Sequence, residues 1–356
     1  MNIVVQGFGV VGAATALNIV SSKNFKNTYK VHCVEKNSPE GIKKIIKART
    51  GTFPIETSDK SLTFALKKAL KKNKITFGFN KSVYSKADII IVSINCDLKT
   101  NGSINLQEFV QSFSEIVNNI STNTMILVES TVPPGTCERI LYPMMKKILK
   151  KRKINFKKIF LAHSFERVTP GDNYLDSCRN TFKVFSGINK ASEKKCHNFL
   201  KKIVNYKKYP LIKLNNITSS ETCKLMENSF RALNIAFIDE WVKFSERLNI
   251  DLFKIIQSIK MRDTHKNIML PGIGVGGYCL TKDPLMGMIS LDQIYKKKSD
   301  FPLSRMSVKI NQKMPENTLN LVLKNLTNNK NILVLGITYL EDVGDIRFSA
   351  SEKLIR

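Results

Sequence analysis

Hydrophobic and polar positions follow two regimes along the chain. In the N-terminal part, Ile3-Val4-Val5, Val31 to Val34, Ala87 to Val92 and Met125 to Glu129 are short runs, mostly apolar, leading into polar residues. Runs of this kind predict strands buried on both faces of a parallel sheet. The first breaks at Gly7-Phe8-Gly9-Val10-Val11-Gly12 and resumes at helical spacing with Ala13, Ala14, Ala16 and Leu17. The expected unit is strand, glycine turn, helix. From Asn216 the spacing becomes helical: Thr218-Ser219-Ser220-Glu221 reads as a capping box. Leu225, Phe230, Leu233, Phe237, Trp241 and Phe244 mark one helix running to Leu248, with an aromatic stripe suited to a core or an interface. At roughly 30 residues this helix exceeds the usual globular range. Asn331 to Gly336 reads as a further strand, leading through Tyr339 and Asp345-Ile346-Arg347 towards a helix before Arg356.

The fold class expected is therefore α/β, with an N-terminal Rossmann-like doubly wound domain at 1–212. A central all-helical domain with the long helix follows at 213–312. Residues 313–356 read as the beginning of a second, truncated α/β domain.

The glycine turn carries the first chemistry. In a GxGxxG turn the first glycine (Gly7) makes the tight bend, the second (Gly9) lets a pyrophosphate approach, and the third (Gly12) lets helix and strand pack closely. The helix N-terminus beginning at Val10 and Val11 would hold the phosphates. Glu35, at the end of the second strand, stands where an acid meets the ribose hydroxyls and repels a 2′-phosphate. NAD is the cofactor expected. Ligands of doubly wound sheets bind beyond the strand C-termini, so Asn95-Cys96 and Ser130 to Thr136 are candidates to line that crevice. From spacing alone, the Pro133-Pro134-Gly135 stretch fits a plain loop equally well.

Composition adjusts this picture modestly. There are 57 Lys and Arg against 29 Asp and Glu, a net charge of +28. The lysines fall singly or in short clusters, and no RNA- or DNA-reading motif accompanies them, so no specific nucleic acid is expected. The seven cysteines are scattered without a CxxC, and the four histidines without an HExxH. This pattern predicts a reduced, cytoplasmic protein without a metal. No run of eighteen apolar residues predicts membrane insertion.

Seven segments in order resemble the UDP-glucose/GDP-mannose dehydrogenase family of NAD-dependent nucleotide-sugar 6-dehydrogenases. Besides the glycine turn they are Gly51 to Ile55, Glu129 to Thr136, Ser164-Phe165-Glu166-Arg167-Val168, Lys224 to Arg231, Gly276-Gly277-Tyr278-Cys279 with Lys282-Asp283, and Asp345-Ile346-Arg347. The resemblance implies oxidation of a nucleotide-diphosphate sugar at C6 to the uronic acid, feeding polysaccharide biosynthesis, by a homodimer built on the long helix. Oxidising a primary alcohol to a carboxylate removes four electrons and passes through an aldehyde. A cysteine can hold that aldehyde as a thiohemiacetal and then as a thioester, and Cys279 is the candidate.

By the same resemblance, Lys224 and Asn228 stabilise charge on the substrate oxygen, and Asp283 positions a water or takes a proton. Glu166 and Thr131 form the water site for thioester hydrolysis. Substrate contacts extend to Arg167, Val168, Arg231 with Asn234, and Gly276, and cofactor contacts to Cys96, Thr131, Lys282 and Arg347. Lys282, by its charge and place, would meet a phosphate, with a solvated lysine as the lesser alternative. Three positions depart from the pattern: Asn95-Cys96-Asp97 replaces Pro-Thr-Pro, Phe165 replaces a proline, and Leu340-Glu341 replaces Lys-Pro. The motifs point both to glucose and to N-acetylhexosamine substrates. Two other readings compete: a two-electron hydroxyacid-type dehydrogenase without a thiol intermediate, and a basic polyanion-binding protein.

Overall fold

The computed structural model describes residues 1–25, 29–98, 104–326 and 331–356. Ten strands occur among them: β1 Asn2–Gln6, β2 Lys30–Val34, β3 Ile75–Gly78, β4 Ile89–Val92, β5 Asp97–Leu98, β6 Ile104–Asn105, β7 Met125–Val128, β8 Phe160–His163, β9 Val184–Gly187 and β10 Ile212–Lys213. Eight form one sheet in the order β10-β9-β8-β7-β4-β1-β2-β3. Every neighbouring pair is parallel except β8 and β9, which run antiparallel through Ala162↔Gly187 and His163↔Ser186. The order reverses between β1 and β4, the switch point at which such sheets open a ligand crevice.

The predicted buried runs are observed. All four residues of β4 and of β7 are buried, as are Ile3, Val4 and Val5 of β1. Each such side chain contributes roughly 1.5–3 kcal/mol of transfer free energy. The helix Val10–Ser21 packs Ala13, Ala14, Ala16, Leu17 and Ile19 into the same core. Its small residues let it lie close against the sheet.

Contacts divide the chain into two compact units: residues 1–224 with 293–296, and residues 225–292 with 297–356. The second is helical, with Leu252–Lys260, Asp283–Gln293, Pro302–Asn325 and Ala350–Ile355 beside the later turns of the long helix Ile217–Leu248. Ile238, Leu252 and Ile256 form a small core there. Asn311 donates from its amide to the Ala232 carbonyl at 3.0 Å, joining helix Pro302–Asn325 to the long helix.

Two expectations need correction. The predicted strand at 331–336 is irregular, with Leu333 and Leu335 82% and 86% exposed. A strand needs a neighbour for its N–H and C=O groups, and no described segment pairs with this one. The long helix is capped by Asn216, whose Oδ1 accepts the Ser219 N–H at 2.7 Å, and the predicted capping box does not form. Thr218 donates instead to Glu138, and Glu221 turns to other donors. Of the two roles expected for the aromatic stripe, core or interface, most of it does not take the first. Phe230, Phe237, Trp241 and Phe244 are exposed, and the buried face of these turns carries Ala232, Ala236 and Ile238.

Candidate active site

The glycine loop joins β1 to helix Val10–Ser21 under tight steric control. Gly7 has φ +92°, and a Cβ there would sit 2.6 Å from the Ser93 carbonyl oxygen at the end of β4. A Cβ on Gly12 would come within 1.9 Å of the Gly7 carbonyl oxygen, whereas one on Gly9 would meet nothing within 4 Å. Two glycines are thus required by the protein's own backbone. The third leaves open space of the kind a pyrophosphate fills. No side chain caps the helix that starts at Val10, so its first N–H groups remain available to an anion.

Glu35 follows β2. Its Oε2 accepts the Phe8 N–H at 2.7 Å and its Oε1 the Lys36 N–H at 2.9 Å. A carboxylate has about four acceptor positions, so capacity for ribose hydroxyls remains. Cys96 is buried and Thr131 half-buried beyond the ends of β4 and β7. These residues fit a dinucleotide.

Beyond the C-termini of β7 and β8 lies a group of charges in which sequence reasoning named Glu166 but missed Lys183 and its pairing with Glu129. Lys183, 1% exposed, hydrogen-bonds Glu166 Oε2 and stands 3.7 Å from Glu129 Oε1. Glu129 Oε2 accepts from the Thr15 hydroxyl at 3.0 Å and the Ser93 hydroxyl at 3.2 Å. Burial raises the Glu129 pKa, opposed by the Lys183 charge and reinforced by Glu166. Topology brings the three together. Because β9 runs antiparallel to β8, the N-terminal end of β9, just after Lys183, lies beside the C-terminal ends that precede Glu129 and Glu166.

Glu166 Oε1 also accepts the Arg167 N–H at 2.9 Å, and the Glu166 carbonyl accepts from Lys224 Nζ at 3.2 Å. Arg167 stacks on Phe165 and donates to the Phe182 carbonyl, while Val168 packs against the main core. Three residues before Lys224, the buried Glu221 accepts the N–H of Gly135 at 2.6 Å and of Cys137 at 2.9 Å. This ties the long helix to the Pro133-Pro134-Gly135 loop. Burial pushes the Glu221 carboxyl up to about 8. His163, buried at the end of β8, shares a 2.8 Å hydrogen bond with the Ser220 hydroxyl, and burial lowers its pKa to about 4.

In the second unit, Cys279 is exposed on a turn that leads into helix Asp283–Gln293. Its carbonyl accepts the N–H groups of Lys282 at 3.2 Å and Asp283 at 2.9 Å. The fully buried Asp283 takes the Asn228 amide on Oδ2 at 2.6 Å and the Lys282 ammonium on Oδ1 at 2.8 Å. Lys282 is itself buried and lies over the Tyr278 ring at 4.3 Å, unlike a solvated lysine. Arg347 makes a bidentate pair with Asp345, and its carbonyl accepts the Gly277 N–H at 3.0 Å. Gly276 lies against Tyr339. Arg231 is exposed, while Asn234 spends its amide on the backbone of Asn267 and Met269.

The structure thus brings Glu166 together with Lys224 in one unit, and Asn228 with Asp283 and Lys282 in the other. Lys183 had no signal beyond standing before an apolar run. Glu221 was visible but read as a cap.

Comparison with known proteins agrees with this anatomy. Residues 1–206 match the NAD binding domain, and residues 218–313 the central domain, of the UDP-glucose/GDP-mannose dehydrogenase family. UDP-N-acetyl-D-mannosamine dehydrogenase of Methanococcus vannielii is 30% identical, over 99% of this chain and 76% of its own length. UDP-glucose 6-dehydrogenase of Rickettsia prowazekii is 26% identical, over 100% of this chain and 77% of its own. The solved UDP-N-acetylmannosamine dehydrogenase of Pyrococcus horikoshii superposes with a TM-score of 0.83 at 26% identity, covering 100% of this chain and 80% of that one. On these matches and on the glycine loop that fits a dinucleotide, the chain belongs to the UDP-glucose/GDP-mannose dehydrogenase family and takes NAD as its cofactor.

Proposed function

We propose that the protein oxidises the C6 hydroxymethyl group of a UDP-N-acetylhexosamine, with UDP-N-acetyl-D-mannosamine preferred over UDP-glucose, to the uronic acid used in polysaccharide assembly. The observation that carries this reading is the Cys279 turn: an exposed thiol four residues before a buried carboxylate that is held by Asn228 and Lys282. The substrate preference is supported by the names of the Methanococcus and Pyrococcus relatives.

Bound NAD supplies the acceptor for each of the two hydride equivalents. Gly7, Gly9, Val10, Val11 and Gly12 cradle its phosphates, Glu35 takes the ribose hydroxyls, and Cys96, Thr131, Lys282 and Arg347 complete its contacts. Lys224 and Asn228 donate to the substrate oxygen as negative charge develops there. Cys279 adds to the aldehyde carbonyl and holds it as a thiohemiacetal until it becomes a thioester. Glu166 takes a proton from the water that cleaves the thioester, with Thr131 orienting that water and Asp283 receiving or returning a proton beside Cys279. Arg167, Val168, Arg231 and Gly276 contact the sugar nucleotide. The assembly is a homodimer through the exposed face of Phe237, Trp241 and Phe244, and Trp241→Glu should convert it to monomers in sedimentation velocity.

The full chain with NAD and UDP-N-acetyl-D-mannosamine should form two NADH per sugar, and Cys279→Ser should form no carboxylate. One NADH per sugar, or carboxylate formation unchanged in Cys279→Ser, defeats the thioester route. A higher kcat/KM for UDP-glucose defeats the preference.

A further inference from the structure

The wall behind Glu166 is unusual for the number of charges it buries. Glu129, Glu166 and Lys183 are each less than 10% exposed. Glu129 reaches back through the hydroxyls of Thr15, on the helix that opens at the glycine loop, and Ser93, whose carbonyl abuts Gly7. Its second oxygen has no hydrogen-bond partner among the described residues and stands 3.7 Å from the Lys183 ammonium. Lys183 thus lies between two carboxylates, one anchored to the cofactor-binding elements and the other set beyond β8.

We propose that Lys183 is a positioning residue for Glu166: it fixes the carboxylate that acts on the thioester water and, through Glu129, ties that carboxylate to the glycine-loop helix. The inference rests on the role given above to Glu166. Other ionisable groups surround the trio. Arg167 adjoins Glu166, and its guanidinium donates to the Phe182 carbonyl and stacks on Phe165. Lys224, from the long helix, meets the Glu166 carbonyl and not its carboxylate. Cys178, beside Arg179 on helix Tyr174–Arg179, and Cys196, on helix Lys190–Ile203, feel these charges, but burial raises both thiols and keeps them neutral. Removing Lys183 leaves two buried carboxylates facing each other, and like charges so placed hold a proton between them. A base held protonated works only at higher pH.

The test uses the full chain, steady-state kinetics from pH 6 to 10 and melting curves. Lys183→Met should lower kcat by about 100-fold, the scale of a catalytic group displaced by about 1 Å. It should also move the acidic limb of kcat to higher pH and leave KM for NAD nearly unchanged, as expected of an interaction made only in the transition state. Lys183→Arg should recover most of the loss. Glu129→Gln, which relieves the carboxylate pair, should move the limb the opposite way. If Lys183→Met does not fold, Lys183→Arg and Glu129→Gln carry the test. Unmoved limbs in the variants that fold, with Glu166→Gln inactive in hydrolysis, overturn the positioning role alone. Wild-type turnover in Glu166→Gln overturns both this role and the base assigned to Glu166.

Discussion

Two glycine-rich turns, one in each unit, are built in opposite ways. At residues 7–12 the atoms that demand glycine are backbone atoms of the turn itself and of the adjacent β4: the Gly7 carbonyl and the Ser93 carbonyl. At residues 272–277 they come from far along the chain. A Cβ on Gly274 would lie 2.6 Å from the Ala350 methyl, one on Gly276 2.6 Å from Tyr339 Cβ, and one on Gly277, at φ +79°, 2.9 Å from the Tyr339 ring. The first turn is shaped by a sheet that forms around it. The second exists only when residues 339–350 are folded against it. A phosphate cradle can therefore be specified locally, whereas the turn that presents Cys279 depends on the C-terminal segment.

Gly12→Ala should break the first turn outright. The 1.9 Å approach to a backbone oxygen cannot be relieved by a rotamer change, and overpacking of this kind costs at least 1–3 kcal/mol. We expect a lowered Tm and no detectable NAD binding by calorimetry. Gly9→Ala is the discriminating partner. With nothing within 4 Å of its Cβ, it should melt like wild type yet bind NAD about 100-fold more weakly, because the methyl stands where the backbone must approach the pyrophosphate. If both variants melt alike, the first turn is not held by its own backbone.

What the sequence reveals follows the same division. The glycine turn, Glu35 and the buried strands were readable because strand, turn and helix are set by neighbours within a few residues. The long helix was readable from its period, but which of its faces packs within the unit was not. Large aromatics attract the eye, while the packed face uses Ala232 and Ala236 so that another helix can lie close. Lys183 was invisible among the lysines because its partners are chosen by the antiparallel turn of β9, a property of strand order. Glu221 matched a local capping pattern but serves Gly135 and Cys137, 84 and more residues away. The apolar run at 331–336 has strand composition, but pairing is a tertiary event that composition does not supply.

The second turn offers a milder way to break the comparison. Tyr339→Ala removes the ring against which Gly277 is packed and should loosen the Cys279 turn while leaving the first turn untouched. Positioning errors of about 1 Å cost up to 100-fold in rate, and a loop that keeps its Arg347 carbonyl bond should lose less, about tenfold in kcat. NAD affinity at the glycine loop should stay unchanged by calorimetry. A Tyr339→Ala enzyme with wild-type kcat would mean that the C-terminal segment does not shape the thiol turn.

The smallest effect concerns pH, and it falls on the first unit alone. Glu221 holds the Gly135 loop with a carboxyl whose pKa burial raises from 4.5 to about 8. Between those values the folded chain keeps a proton that the unfolded chain has released, so stability falls as pH rises from 4.5 to 8. His163 works in the opposite sense. Burial lowers its pKa from 6.5 to about 4, and stability is lost as pH falls through that window. Glu221→Gln should shrink the decline above pH 6.5, where His163 no longer contributes, leaving only the share that the raised carboxyl of Glu129 supplies up to about pH 7, and leave the acid-side loss in place. At roughly 2–4 °C of Tm per kcal/mol for units of this size, the change between pH 6.5 and 8 should be a few degrees. A decline undiminished in Glu221→Gln, above pH 7 in particular, would assign it to another group.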